Sequence, residues 1–164
     1  MRIGQFGKPF LIYKFRSMKE NAASFSPIEV PLHKLQSDTR LTRIGPFIRK
    51  HKIDELAQLF NVFAGDMGLV GPRPLLAEET VTAEEKYWDR FLVLPGATGL
   101  WQAFIPNTNS PTLKLACDAR YARIRSWKLD MRLLFRTVSV VFKGVEEKQL
   151  SNFSGEEKKY KKIA

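Results

Sequence analysis

The chain has 164 residues, 44% hydrophobic and 27% charged, enough for one domain with a real core and incompatible with wholesale disorder. Its formal net charge of +10 points to an anionic partner: nucleic acid, a phosphorylated small molecule or an acidic membrane surface. Cys117 is the single cysteine, which excludes an intrachain disulfide, fits a reducing, cytosolic setting and, with only His33 and His51 to help, gives no structural zinc site.

No run of about 18 apolar residues spans a bilayer, and MRIGQFGKPF lacks the apolar core of a signal peptide. Residues 9–16, PFLIYKFR, predict a short strand, and the Phe6-Gly7-Lys8-Pro9 turn before it predicts a hairpin with residues 1–5. Lys14 and Arg16, two apart, would share one strand face, either solvated or aimed at a phosphate. Residues 19–37, with Pro27, Pro31 and scattered Ser, read as a surface loop. A new segment opens at Asp38-Thr39-Arg40, and Gly45-Pro46 breaks it.

Pro46 suits the first turn of a helix that buries Phe47 and Ile48 and points Arg49, Lys50 and Lys52 outward. Asp54 and Glu55 then stand side by side at the expected start of a second helix, with Asp54 at or next to the N-cap. Leu56, Leu59, Phe60 and Phe63 follow the spacing of one buried helical stripe, and Gly65 sits where a left-handed stop is expected. As a cap, the acid pair contributes about 1 kcal/mol. As a site, adjacent carboxylates among cations can hold a divalent metal and present an oxygen nucleophile to phosphorus. Both readings stand open on these residues alone.

The turn Gly71-Pro72-Arg73-Pro74 fixes φ on either side of Arg73, and a guanidinium held this way is oriented for bidentate phosphate binding. Residues 76–91 predict one helix with early acids and a late Arg90. Residues 94–101 and 106–111 read as loops without chemistry of their own. Residues 112–125 predict a helix carrying Asp118, Arg120, Tyr121 and Arg123. Ser126 can cap a last helix over 127–144, in which Lys128, Arg132, Arg136 and Lys143 oppose an apolar stripe of Leu129, Leu133, Leu134, Val138, Val141 and Phe142. A basic face opposite an apolar one suits either a core helix or an interfacial helix on anionic lipid, with Trp127 at its edge. Residues 145–164 read as a basic, mobile tail.

Several of these pieces together resemble one family. Lys14-Phe15-Arg16-Ser17-Met18, Asp54-Glu55, Gly65-Asp66-Met67, Leu69-Val70-Gly71-Pro72-Arg73-Pro74, Pro95-Gly96-Ala97-Thr98-Gly99 and Asp118…Tyr121…Asp130 occur in the order and spacing of the bacterial sugar transferases. These are the monotopic phosphoglycosyl transferases, or polyprenyl-phosphate hexose-1-phosphate transferases. The resemblance implies transfer of a sugar-1-phosphate from a UDP-sugar to undecaprenyl phosphate, with UMP released, as the first membrane step of polysaccharide assembly. It implies Asp54 as the nucleophile that forms a covalent phosphosugar intermediate, Glu55 as its support, Mg2+ held by Asp54 and Glu55, and phosphate contacts from Lys14, Arg16, Arg49 and Arg73. It places the protein on an anionic membrane surface at the cytoplasmic face of the bacterial inner membrane.

The family's N-terminal membrane hairpin has no counterpart in this sequence, Ala57 and Gly68 replace its usual Pro and Ser, and Phe104-Ile105-Pro106 replaces its Gly-Arg pair. The expected architecture is a single compact α+β domain, mostly helical, with a small N-terminal hairpin and a C-terminal amphipathic helix. Residues 1–144 would form the catalytic domain and 145–164 the tail. Two alternatives remain: an inactive truncated family member, and a basic nucleic-acid-binding module. Against the module, the aromatics do not interleave with the cations as a stacking platform would, so nucleic acid is not an expected partner.

Overall fold

A computed structural model describes residues 1–19, 40–81, 83–105 and 110–143. The expected tail, most of the 19–37 loop and the centre of the 106–111 loop lie outside the described residues. The fold is α+β and mostly helical, as its composition and periodicity predict.

The N-terminal hairpin is smaller than the sequence suggests. Strands β1 (Arg2–Ile3) and β2 (Pro9–Phe10) pair antiparallel, with Arg2 opposite Phe10. Beyond Phe10 the expected strand is not a strand but extended chain. Its backbone groups are met otherwise: Asn61 donates to the Leu11 carbonyl at 2.6 Å and accepts from the Tyr13 amide at 3.0 Å, and the Phe15 amide donates to the Asp54 carbonyl at 3.1 Å. No partner strand is needed once these groups are satisfied.

Helix α1 (Gly45–Lys50) begins with Pro46 in its first turn, as expected. Phe47, expected inside, is exposed. Lys52 adopts a left-handed backbone, φ 53°, and redirects the chain into a 3₁₀ turn, Ile53–Gln58, and then helix α2 (Leu59–Ala64). Lys52, not Asp54, therefore occupies the cap position, and Asp54 lies inside the first 3₁₀ turn. Gly65 closes α2 in the left-handed region at φ 82°.

The apolar stripe expected to be buried points outward. Leu56, Leu59, Phe60 and Phe63 are all exposed, Phe63 at 88%, whereas Ala57, Gln58 and Asn61 face inward. The rotation follows from Asn61. Its amide must reach Leu11 and Tyr13, and burying a polar side chain is tolerated only with such bonds made.

Strand β3 (Gly68–Val70) runs parallel to β4 (Gly96–Thr98), with Gly68 opposite Gly96. A Cβ on Gly96 would meet the Gly71 nitrogen at 2.0 Å, so only glycine permits this approach. The single helix expected over 76–91 is two pieces, α3 (Ala77–Val81) and a 3₁₀ segment, Glu85–Leu92. The β-branched run Thr80-Val81-Thr82 disfavours continuous helix, and Thr80 Oγ1 bonds back to the Leu76 carbonyl at 3.0 Å.

Helix α4 (Leu100–Phe104) lies partly where a loop was expected. Helices α5 (Pro111–Ile124) and α6 (Trp127–Lys143) fall where the periodicity puts them, with Ser110 and Ser126 accepting from the Leu113 and Leu129 amides. The core gathers Leu100, Trp101, Ile105, Leu113, Tyr121 and Leu133 between α4, α5 and α6. Of the expected α6 stripe, Leu133 is buried and Leu129 packs on the core, but Val138 is exposed. Arg136 is not simply solvated, because its Nε donates to the Ala103 carbonyl at 2.9 Å and its guanidinium lies over Phe104. Helix α6 also holds β4, through the Thr98 and Thr137 hydroxyls 2.7 Å apart.

Candidate active site

A cleft opens where the extended segment after β2, the 3₁₀ turn 53–58, the Gly71–Pro74 turn and the start of β4 converge. Arg2, Lys14, Glu55 and Arg73 supply its charge and Gln58 and Gln102 its amides, and Ile12, Pro74, Gly96 and Ala97 complete the lining. Glu55 Oε1 stands 4.0 Å from Lys14 Nζ and 3.8 Å from Arg73 Nη1, so one carboxylate joins two cations from distant parts of the chain. Burial holds the Lys14 ammonium below its ordinary pKa, against the opposing pull of Glu55.

Asp54 is half-buried beside this group. Burial and then the neighbouring Glu55 charge push its carboxyl above the ordinary aspartate value, while Lys14 and Arg49 pull it down. Arg49 acts on Asp54 through its charge, and its Nε donates to Ser17 Oγ at 3.2 Å. Of the six residues singled out in the sequence, the structure thus groups Lys14, Glu55 and Arg73 in one cleft with Asp54 and Arg49 beside it. Arg16 does not line that cleft.

Arg73 is held through its main chain. Its amide donates to Asp118 Oδ2 at 3.3 Å, and its carbonyl accepts from Arg90 Nη2. Arg90 and Asp118 themselves form an ion pair at 2.9 Å, each side chain only 2% exposed. The guanidinium of Arg73 lies 5.8 Å from the centre of the Trp101 ring. Tyr121, three residues after Asp118 on α5, donates to Asp130 Oδ1 at 2.8 Å and ties α5 to α6.

Sequence reasoning missed Gln58, Gln102, Arg2 and the Arg90–Asp118 pair. Gln58 and Gln102 carry no signal beyond being polar on short helical turns. Asp118 was legible in principle, since an acid within LACDARYA, among small and apolar residues, must be either buried and paired or on a narrow polar face.

Among the described residues no group of three or more His, Cys, Asp or Glu side chains could hold a metal. Asp54 and Glu55 nevertheless offer adjacent hard oxygen donors, and Mg2+ typically takes one or two carboxylates and completes its shell with water and substrate phosphate. The donor set fits that arrangement.

Residues 1–144 match the Bacterial sugar transferase family, and the chain belongs to it. The undecaprenyl-phosphate galactose phosphotransferase of Salmonella typhimurium is 40% identical over 159 residues, 87% of this chain and 32% of that protein. The UDP-galactose-lipid carrier transferase of Erwinia amylovora is 39% identical over 159 residues, again 87% of this chain and 32% of the relative. The uncharacterized sugar transferase EpsL of Bacillus subtilis is 40% identical over 149 residues, covering 90% of this chain and 71% of EpsL. The chain spans about a third of the length of the first of these relatives. Other relatives bear names of the same kind, among them an exopolysaccharide production protein of Sinorhizobium fredii, 34% identical over 154 residues, 85% of this chain and 67% of that protein.

Proposed function

We propose that this chain is the catalytic unit that moves a sugar-1-phosphate from a UDP-sugar to undecaprenyl phosphate through Asp54. The observation that carries the reading is Glu55 held between Lys14 and Arg73 at a cleft, with Asp54 next to it on the same 3₁₀ turn and under the charge of Lys14 and Arg49. An anionic carboxylate attacks an anionic diphosphate only if their repulsion is cancelled first. Lys14, Arg49 and Arg73 supply fixed positive charge for that purpose, and partial burial strengthens each interaction.

Asp54 Oδ attacks the β-phosphorus of the donor. A P–O bond to the aspartate forms as the bond to the bridging oxygen breaks, and UMP leaves with that electron pair. A phosphate oxygen of undecaprenyl phosphate then attacks the same phosphorus, releasing the Asp54 carboxylate and giving a lipid-linked diphosphosugar. Glu55, fixed by its two cations, keeps its neighbour oriented. Bound Mg2+, held by Asp54 and Glu55, would supply further charge neutralisation at the diphosphate. Splitting the reaction lets two bulky anions use one site in turn, which gives ping-pong kinetics.

The lipid acceptor requires the cleft to meet a membrane, and no described helix is long and apolar enough to cross one. Two groups of exposed apolar side chains support contact with the membrane surface. One comprises Ile44, Phe47, Leu56, Phe60 and Phe63, on α1, the 53–58 turn and α2, where Arg43 and Lys50 are exposed as well. The other runs along α6 through Trp127, Met131, Phe135 and Val138, among exposed Lys128 and Arg132. Apolar side chains rimmed by cations suit the cytoplasmic, anionic surface of a bacterial inner membrane.

The test is UMP release over a panel of UDP-sugars with undecaprenyl phosphate present. Release should need Mg2+, stop with EDTA and be abolished by Asp54→Asn at unchanged folding. A full-rate Asp54→Asn variant would remove Asp54 from the mechanism.

A further inference from the structure

We infer that Arg90 and Asp118 are positioning residues that grip the Arg73 peptide from both sides and thereby aim its guanidinium into the cleft at a diphosphate. The inference rests on the reading of Arg73 as a phosphate contact and assigns work to two buried residues that never reach the cleft themselves.

The geometry is closed on itself. Asp118 Oδ2 takes both the Arg73 amide, at 3.3 Å, and Arg90 Nη2, at 2.9 Å, while Arg90 Nη2 also donates to the Arg73 carbonyl. The two polar groups of one residue's backbone are therefore bound by the two partners of one ion pair. Pro72 and Pro74 restrict the torsions on either side. The side chain then has few directions left: it passes the Trp101 ring at 5.8 Å and ends 3.8 Å from Glu55.

Stability alone does not account for such a pair. Removing two charges from water is costly, and apolar residues of similar volume commonly replace a buried ion pair without loss of stability. Burial here is nearly complete on both sides. What apolar residues could not do is bind an amide and a carbonyl at once. A guanidinium already oriented loses less freedom on meeting phosphate, and that saving appears as affinity.

The experiment measures binding of inorganic pyrophosphate to the full chain by titration calorimetry, beside thermal melts, in a double-mutant cycle of Arg73→Ala and Asp118→Ala. Arg73→Ala keeps the backbone groups that Asp118 binds and removes only the guanidinium, so it separates aiming from folding. Arg73→Ala should weaken pyrophosphate about tenfold or more. Asp118→Ala should cause a loss of similar size in the wild-type background and less than about twofold once Arg73 is already Ala. Should Asp118→Ala lose its cooperative melt, the paired replacement Arg90→Met with Asp118→Leu enters the same cycle, with the same two outcomes. An equal loss with and without the Arg73 guanidinium, or no loss at all, overturns the inference. So does pyrophosphate binding that ignores Arg73→Ala. UMP release is measured separately: a wild-type chain that releases none, yet shows the coupled cycle, loses the transferase reading and keeps the positioning one.

Discussion

Asn61 Nδ2 donates to the Leu11 carbonyl at 2.6 Å, across the gap between α2 and the extended segment that carries Lys14. The same side chain accepts from the Tyr13 amide, and Asn61 is fully buried. One amide thus fixes the rotation of α2 and the path of the chain leading to the cleft. Asn61→Ala removes a buried side chain and leaves a part-buried carbonyl and a part-buried N–H without their partner, and we expect a loss of about 2 kcal/mol in urea denaturation. Asn61→Asp, which sets a buried carboxylate against the Leu11 carbonyl and the Asp66 carboxylate, should cost at least as much.

The outward apolar face follows from that rotation. Because Phe60 and Phe63 are 65% and 88% exposed, Phe60→Ser with Phe63→Ser should change stability by no more than about 0.5 kcal/mol per site. Co-sedimentation with vesicles containing anionic lipid should nevertheless fall for the double variant. Equal sedimentation with wild type would remove this face from the membrane contact and leave the α6 face.

The buried pair makes a pH-dependent prediction. Burial raises the Asp118 carboxyl to about 7, against the pull of Arg90 and of the Arg73 amide that face it. In the unfolded chain it titrates as an ordinary aspartate, at about 4. Between those values the folded state holds a proton that the unfolded state has released, so this group's contribution to stability falls as pH rises through the window. Asp118→Asn cannot titrate. The melting temperature of Asp118→Asn relative to wild type should therefore be higher at pH 8 than at pH 5.

Cys117 lies in the same core, and burial pushes its thiol up to about 12. The thiolate is the reactive form, so the native chain at pH 8 should resist iodoacetamide and react at an ordinary rate only after unfolding in urea. Fast alkylation of the folded chain would show that α5 opens locally.

How much of this was legible in the sequence depended on whether a signal is local. Pro46 at a helix start, Gly65 at a left-handed stop, and Ser110 and Ser126 as caps are set by backbone geometry within a few residues, and each is found where expected. The order of motifs pointed to the family, which the match over residues 1–144 shows. The inside–outside sense of α2 was not legible. Its apolar spacing is genuine, but periodicity says only that one face is apolar, and a single buried Asn61 decided which way the helix turned. The strand expected over 9–16 shrank for the same reason, since side-chain and loop partners satisfied its backbone. Arg90 and Asp118 escaped notice as a pair because their meeting is tertiary and neither lies in a motif with Arg73.

The central claim is that Asp54 captures a phosphosugar covalently, and one measurement reaches it most directly. The chain is incubated with Mg2+ and a UDP-sugar labelled at the β-phosphorus, without lipid acceptor, then quenched, digested and mapped by mass spectrometry. The account predicts a labelled sugar-phosphate adduct on the peptide containing Asp54, cleaved by hydroxylamine as an acyl phosphate, and absent in Asp54→Asn. A chain that releases UMP to undecaprenyl phosphate yet never carries label at Asp54, or carries it equally in Asp54→Asn, would contradict it.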